Sequence, residues 1–87
     1  MTYRIEITRS ALRALAKLDK PIRRRLQHRI DQLAEDPRPH GAIALQGLSG
    51  AYRVRAGDYR VIYTIEDDRL LVVVIDLGHR RDSYRGR

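Results

Sequence analysis

The amino-acid sequence predicts an α+β domain in which two helices lie on one side of a mainly antiparallel sheet, in the order β-α-α-β-β-β. Three patterns support this prediction: apolar residues at helical spacing between 12 and 33, alternating residues on both sides of a turn at 57–58, and a nearly unbroken apolar run from 70 to 77. The chain of 87 residues is 43% apolar, which is enough for one modest hydrophobic core. We therefore expect residues 1–87 to form a single domain.

The N-terminal part of the chain predicts one strand followed by a helical hairpin. Alternation of apolar and polar residues over 3–7 indicates a short first strand. Thr8 or Ser10 can cap the first helix. Its apolar residues would share one face: Leu12, Leu15, Ala16 and Leu18. The segment Asp19-Lys20-Pro21 ends this helix and begins a second one, which stops before Pro37. The apolar residues of the second helix recur at helical spacing: Ile22, Leu26, Ile30 and Leu33.

The C-terminal half of the chain predicts the remaining strands. Residues 40–50 form a connecting segment with a short strand near Ala44-Leu45. The hairpin around Gly57-Asp58 follows, and Asp67-Asp68 makes the next turn. The apolar run from Leu70 to Leu77 predicts a central strand that is covered on both faces.

The hairpin sequence places arginines opposite one another. If Gly57-Asp58 is a two-residue loop, Arg55 lies directly opposite Arg60, and Tyr52 lies opposite Tyr63. Because side chains alternate between the faces of a strand, three arginines share one face: Arg53, Arg55 and Arg60. Like charges opposed across strands destabilise a sheet by about 0.2–1 kcal/mol per pair, so we interpret this face as an anion site suited to phosphate. A merely solvated arginine face is the alternative.

The charge of the chain also points to an anionic partner. The formal net charge is +7, and the sequence contains 16 arginines but only 2 lysines. Arginine binds phosphate and carboxylate through two parallel hydrogen bonds, so this composition suggests nucleic acid or an acidic protein. A GC-rich genome is the other explanation of the arginine excess.

Composition excludes several classes of function. The sequence has no cysteine, which excludes a disulfide framework, a thiolate metal site and a cysteine nucleophile, and we expect neither metal nor cofactor. No apolar run approaches the roughly 20 residues that span a bilayer, and the N-terminus lacks the apolar core of a signal peptide. We therefore expect a cytoplasmic protein without a membrane partner.

A further strand pairing extends the arginine face. Continuing the pairing across Asp67-Asp68 places Arg60 beside Ile75, and Leu77 and His79 then fall on the same face. The last strand would deliver the C-terminal residues to the end of the sheet that carries the arginines. The sequence thus predicts one basic concavity lined by Arg53, Arg55, Arg60, His79, Arg80, Arg81 and Tyr84.

Three spaced segments carry a resemblance to a known family. They are LSGAYRVR at 48–55, GDYRVIY at 57–63 and IDLGHRRDSY at 75–84. In their order and spacing, which cover the whole chain, the sequence resembles the RelE/ParE superfamily of bacterial and archaeal toxins, and within it the RelE-type mRNA endoribonucleases. The resemblance implies the toxin of a type II toxin–antitoxin pair that inhibits translation through ribosome-dependent cleavage of mRNA.

The resemblance also implies the chemistry and the residues that perform it. In such enzymes the 2′-hydroxyl of the substrate attacks the adjacent phosphate without a metal, which requires a proton acceptor, cations and an acid for the leaving oxygen. Arg53 and Arg55 match the basic positions of the first hairpin strand, and Arg60 matches a phosphate-binding arginine. Arg80 matches an arginine that stabilises charge or acts as the acid, and Tyr84 a tyrosine that stacks on or orients the base. The residues expected to bind RNA are Arg53, Arg55, Arg60, Arg81 and Tyr84.

One departure from the family pattern concerns the proton acceptor. Arg53 and Arg55 stand where the family often has lysine, which can lose its proton near neutral pH, whereas arginine stays protonated. His79 is the only imidazole near the motif and is therefore the candidate general base. A histidine that only hydrogen-bonds a carbonyl at the strand end is the alternative, and a packing role is the alternative for Tyr84.

Two other functions stay open at this point. One is inhibition of DNA gyrase, as in ParE-like toxins on the same scaffold; the other is a non-catalytic module whose arginine face docks RNA or an acidic protein. The toxin interpretations imply a cognate acidic antitoxin of the RelB type, and operator DNA bound only through the antitoxin complex. The endoribonuclease interpretation adds the ribosome and mRNA as partners.

Overall fold

The computed structural model of the protein describes residues 2–79, which form two helices and a five-stranded sheet. The elements in chain order are β1 (Arg4–Ile7), α1 (Arg9–Ala16), α2 (Lys20–Gln32), β2 (Ile43–Ala44), β3 (Ala51–Ala56), β4 (Tyr59–Glu66) and β5 (Leu71–His79). The strands lie in the order β1-β5-β4-β3-β2. The predicted α+β class, with one strand, two helices and then a mostly antiparallel sheet, is confirmed.

Helix α1 begins at the predicted cap but buries a different face. The hydroxyl of Thr8 accepts a hydrogen bond from the backbone N–H of Ala11 at 3.2 Å. Ala11 and Leu15 are buried, whereas Leu12 is 53% exposed, so the predicted apolar face was wrong at Leu12 and at the exposed Ala16. The helix has only eight residues and packs against β5 through this i, i+4 pair. Leu12 lies about 100° further around the helix and turns away from the sheet.

Helix α2 follows the predicted pattern. Asp19 is its N-cap residue, and Pro21 lies in its first turn, where a missing backbone N–H costs little. Leu26 and Ile30 are fully buried, and the helix packs against β3 and β4.

The β3–β4 hairpin has the register that the alternating pattern predicted. Arg55 lies directly opposite Arg60, and the other predicted pairs of this hairpin are also present. Gly57 has a φ of +63°, a left-handed conformation that glycine adopts without strain at the first position of a two-residue loop. A Cβ placed on Gly57 would lie 3.1 Å from Nη1 of Arg25, so the guanidinium of this α2 residue lies against the turn.

The predicted connection between β4 and β5 was wrong. Asp67-Asp68 is not a two-residue turn, because Asp67–Arg69 form a 3₁₀ turn and Leu70 adopts a left-handed φ of 50° before β5 begins. A bulge between Ile62 and Tyr63 shifts the register a second time. Both features add residues to the β5 side of the pairing.

The bulge decides which side chains of β5 face the helices. Beyond it, Leu77 lies opposite the core residue Val61, and Arg60 lies opposite Gly78 rather than Ile75. Leu77 is 5% exposed and belongs to the core, so the expectation that it shares the face of the arginines was wrong.

Strand β5 lies between β1 and β4, which confirms its predicted interior position. It pairs with β1 in parallel, although both helices and the strands β2, β3 and β4 lie between them along the chain. Both helices pack on one face of the sheet, and within residues 2–79 no helix covers the other face of β5. On that other face Leu71 is buried and Val73 is half-buried, so the described residues cover it only in part.

The short strand predicted near Ala44-Leu45 is present as β2, one residue earlier. It pairs Ile43 with Arg53 and Ala44 with Tyr52, and pairs no further along β3. Residues 54–56 of β3 therefore lie at an open edge of the described sheet.

A single core fills the space between the sheet and the helices. It combines Leu26 and Ile30 of α2 with valines of β3, β4 and β5. None of the described helices is long and apolar enough to cross a membrane.

Candidate phosphate-binding site

The structure brings together three of the predicted site residues on the sheet face that the helices leave open. Arg53 and Arg55 project from β3 and Arg60 from β4, since they alternate with the core residues Val54 and Val61. Arg55 is exposed, and Arg53 and Arg60 are half-buried. We call these three residues the arginine face.

Arg53 is a half-buried member of this face. In the sheet register it lies between Ile43 of β2 and Ile62 of β4. Its Nε is buried and has no hydrogen-bond partner in the structure. Ile62 is only 1% exposed although no described helix covers this face, as expected where long arginine stems lie across an apolar residue. A buried donor without an acceptor costs stability, so this guanidinium is well suited to an anionic ligand.

A groove adjoins the arginine face at the open edge of β3. Its volume is about 470 Å³, and its lining residues are Arg29, Gly41, Ile43, Arg53 and Arg55. Arg29 comes from α2, on the other side of the sheet edge, and was not among the residues that the sequence singled out for a function. We call this feature the edge groove.

Asp76 is an acidic residue on the arginine face that sequence reasoning missed. It lies opposite Ile62 on the exposed face and two residues before Gly78, the partner of Arg60. Its Oδ1 accepts a hydrogen bond from the backbone N–H of Leu77 at 2.9 Å. Without the bulge, alternation along β5 assigned Asp76 to the opposite face, so no pattern in the sequence pointed to it.

His79 lies at the predicted end of the sheet but on the other face. It pairs with Tyr59, and the two rings meet edge to face with their centroids 5.2 Å apart. Tyr59 packs against the core on the helix side, so the placement of His79 among the arginines was wrong. The predicted residues Arg80, Arg81 and Tyr84 lie outside the described residues. Within residues 2–79 no cluster of histidine and acidic residues could hold a metal ion.

A second charged cluster occupies the opposite end of the sheet. Arg38 donates two hydrogen bonds to Asp67, at 3.1 and 2.8 Å, and a third from Nε to the hydroxyl of Tyr52 at 3.1 Å. The hydroxyl of Tyr3 donates to Asp67 at 2.7 Å. The hydrogen bonds from Arg38, and after them the bond from Tyr3, lower the pKa of Asp67 to about 2. The hydrogen bond to Asp67 also raises the pKa of Tyr3. We call these four residues the Arg38 cluster.

Comparison with known proteins decides the family. The sequence profile of the family described as "ParE toxin of type II toxin-antitoxin system, parDE" matches residues 5–84. The chain belongs to the RelE/ParE toxin superfamily. Toxin RelG of Mycobacterium tuberculosis, a relative of this RelE/ParE chain, is 33% identical over 86 residues, which cover 98% of this chain and 99% of RelG.

Other relatives of this RelE/ParE toxin carry RelE names. The mRNA interferase toxin RelE of Escherichia coli is 31% identical over 85 residues, covering 95% of this chain and 88% of that protein. The archaeal RelE–RelB complex from Pyrococcus horikoshii contains a chain that superimposes with a TM-score of 0.82 at 34% identity, over 95% of this chain and all of that one (100%). The chain is therefore a RelE-type toxin, and the similarity extends over nearly the full length of the chain.

Proposed function

We propose that this protein is the toxin of a type II toxin–antitoxin pair and cleaves mRNA in a ribosome-dependent reaction. The observation that carries the proposal is the arginine face: Arg55 directly opposite Arg60, beside a partly buried Arg53. Opposed guanidiniums destabilise the hairpin by themselves and become favourable once a phosphodiester lies between them. The E. coli relative named an mRNA interferase supports RNA as the source of that phosphate.

The arginine face supplies the electrostatic part of the reaction. The 2′-hydroxyl oxygen attacks the adjacent phosphorus, its proton passes to a base, and the bond from phosphorus to the 5′-oxygen breaks as that oxygen takes up a proton. The phosphorane that forms carries extra negative charge on its equatorial oxygens. The guanidiniums of Arg55 and Arg60, which project from paired positions of two strands, stabilise this charge. No step requires a metal.

Asp76 is the described residue best placed to accept the proton. Arg53 and Arg55 stay protonated, and His79 lies on the other face beside Tyr59. Asp76 shares the face of Arg60 and lies two residues from the partner of Arg60 on β5. We assign to it the role that the sequence had suggested for His79. Arg80, Arg81 and Tyr84 keep their proposed roles in charge stabilisation and RNA binding.

The proposed partners follow from the same relatives. The structural relatives include RelE toxins in complex with RelB antitoxins, and we propose a cognate acidic antitoxin for this chain. A net charge of +7 favours rapid association with such a partner, weakened by salt. We further propose that the toxin acts in the cytoplasm on ribosome-bound mRNA, and that operator DNA is contacted through the antitoxin complex.

The test is a cell-free translation reaction with purified protein, followed by primer extension along the mRNA. We expect cleavage within codons only when ribosomes translate, and a loss of about 10²–10³-fold in rate for Arg60→Ala. Asp76→Asn should lower the rate by about 10²–10⁴-fold if its carboxylate is the base. Arg4→Ala is the matched control, since Arg4 shares this sheet face at the far edge and pairs there with Glu6.

The same preparation distinguishes the other interpretations. Intact mRNA together with inhibited gyrase supercoiling would move the protein to the ParE class. If the protein neither cleaves mRNA nor inhibits gyrase, it acts as a non-catalytic binding module. Cleavage that survives in Asp76→Asn at the parent rate would remove Asp76 from the mechanism without affecting the arginines.

A further inference from the structure

The edge groove places an arginine of α2 beside the arginine face. Arg29 is half-buried and lines the groove with Arg53 and Arg55, although α2 packs on the opposite side of the sheet. This contact is possible because β2 pairs with only two residues of β3, which leaves the edge of β3 open beyond Arg53. Side chains from both sides of the sheet therefore meet around one edge.

A second arginine continues this line toward the hairpin turn. Arg25 and Arg29 are four residues apart, so they lie on one side of α2, about 6 Å apart along its axis. The guanidinium of Arg25 lies against Gly57, at the tip of the hairpin. The two arginines thus flank the open edge of β3 from the turn to β2.

We propose that the edge groove binds the phosphate backbone of single-stranded RNA next to the phosphate held on the arginine face, and that Arg29 is the contact residue that α2 contributes. The proposal rests on the proposed function and deepens it, because it names a second segment of the substrate strand and the path it follows. Arg53 and Arg55 belong both to the groove and to the arginine face, so one strand can occupy the two without a gap.

The lining of the groove favours RNA over an acidic protein. Beside three guanidiniums it contains Ile43, a large apolar side chain that is 49% exposed. A nucleotide presents a phosphate and a flat base, and bases stack on guanidinium planes and pack on apolar side chains. The volume of about 470 Å³ lies within the range of small-molecule sites and accommodates a nucleotide-sized unit.

The test measures binding separately from cleavage. The probe is a short fluorescein-labelled single-stranded RNA whose riboses carry 2′-O-methyl groups, so that no 2′-hydroxyl can attack. Fluorescence anisotropy across about 50–200 mM salt gives the affinity and the slope of log Kd against log salt. We expect Arg29→Gln to weaken binding about three- to tenfold and to reduce that slope by about 0.7, the loss of one phosphate contact to a single strand.

Arg24→Gln is the matched control. Arg24 lies on the same helix, is exposed, loses the same charge and is not part of the groove. The slope of log Kd against log salt for Arg24→Gln should equal that of the parent. Equal changes of this slope in Arg24→Gln and Arg29→Gln would mean that only the net charge matters, which would overturn the proposal. Arg29→Lys should restore the slope, which separates a phosphate contact from a role of the arginine stem in packing, and thermal unfolding checks that each variant is folded.

The remaining outcomes separate this proposal from the proposed function. RNA binding that depends on Arg29, in a protein that does not cleave mRNA, would support the groove and contradict the enzyme. Ribosome-dependent cleavage at the parent rate by Arg29→Gln, together with unchanged RNA affinity, would overturn the groove and leave the enzyme. A labelled glutamate-rich peptide that binds with the same dependence on Arg29, while RNA does not bind, would assign the groove to a protein partner instead.

Discussion

Arginines at the two ends of the sheet have opposite electrostatic surroundings. In the Arg38 cluster, one guanidinium meets a carboxylate through two hydrogen bonds and a tyrosine through a third. At the hairpin end, Arg55 is paired across the strands with another arginine, and Nε of Arg53 is buried without an acceptor. The charges of the Arg38 cluster are neutralised within the fold, whereas Arg55 lies opposite a residue of the same charge, where we propose that an anion binds.

This difference predicts that substitutions at the two ends change the free energy of unfolding in opposite directions. Removing a charge near Arg38 should destabilise the protein and leave RNA cleavage intact. Removing the charge of Arg55 from the arginine face should stabilise the protein and slow the proposed cleavage. The predictions that follow test this contrast, from the largest effect on stability to the smallest.

Tyr63→Phe should cause the largest loss of stability, about 1–3 kcal/mol in the free energy of unfolding. The buried hydroxyl of Tyr63 donates to the carbonyl of Pro37 at 2.7 Å and holds the segment after α2 against the sheet. The variant leaves that carbonyl buried and unpaired. Chemical denaturation measures the change, and cleavage of mRNA should be unaffected.

Tyr52→Phe is the control for this hydroxyl, because it removes only a partly exposed hydrogen bond from Arg38. Burial also raises the pKa of Tyr63 to about 12. The neutral phenol thus contributes stability below pH 10 that is lost as pH rises from 10 toward 12, and this loss should be smaller in Tyr63→Phe. Equal stabilities of the two variants would contradict the role of the Pro37 bond.

Arg38→Gln should lower the free energy of unfolding by up to about 1 kcal/mol. The pair with Asp67 is bidentate but partly exposed, with 45% and 55% of the two side chains accessible, so solvent screens it. Arg69→Gln removes a simpler exposed pair with Glu66 and should cost less. A loss of mRNA cleavage in Arg38→Gln, with the fold intact, would break the division between the two ends.

Arg55→Gln should instead raise the free energy of unfolding, by about 0.2–1 kcal/mol, because it relieves the repulsion with Arg60. The gain should shrink as salt screens the charges. The same variant should cleave mRNA more slowly. Arg4→Gln, on the same face but at the far edge, should change neither property, and a destabilised Arg55→Gln would refute the account of the arginine face.

The hairpin that carries the arginine face could be predicted because its determinants are local. Alternation fixed the faces, and Gly57 fixed a two-residue loop, so the pairing of Arg55 with Arg60 followed. The order of helices and strands followed equally from periodicity. The grouping of the three arginines on one face could therefore be predicted from the sequence alone.

The rest of the site depended on features without a local signal. Leu70 adopts a left-handed conformation that its side chain disfavours, and the bulge at Ile62 adds a residue to β5. The turn shifts the pairing by two residues, which keeps the faces, and the bulge shifts it by one more, which places Asp76 on the arginine face and His79 on the other. Arg29 entered the edge groove only through the packing of α2 beside an edge left open by a two-residue strand.

The smallest effect concerns the acid stability of the Arg38 cluster. The pKa of Asp67 falls from 3.8 to about 2 in the folded protein, chiefly because Arg38 hydrogen-bonds its carboxylate. A lowered pKa contributes stability above pH 3.8 that is lost as pH falls toward 2. Thermal unfolding between pH 4 and pH 2 should therefore show a smaller drop in Tm for Asp67→Asn than for the parent. Asp68→Asn, the exposed neighbour on the same turn, is the control and should retain the parent's acid sensitivity; identical curves for all three proteins would mean that the ion pair contributes nothing to the fold.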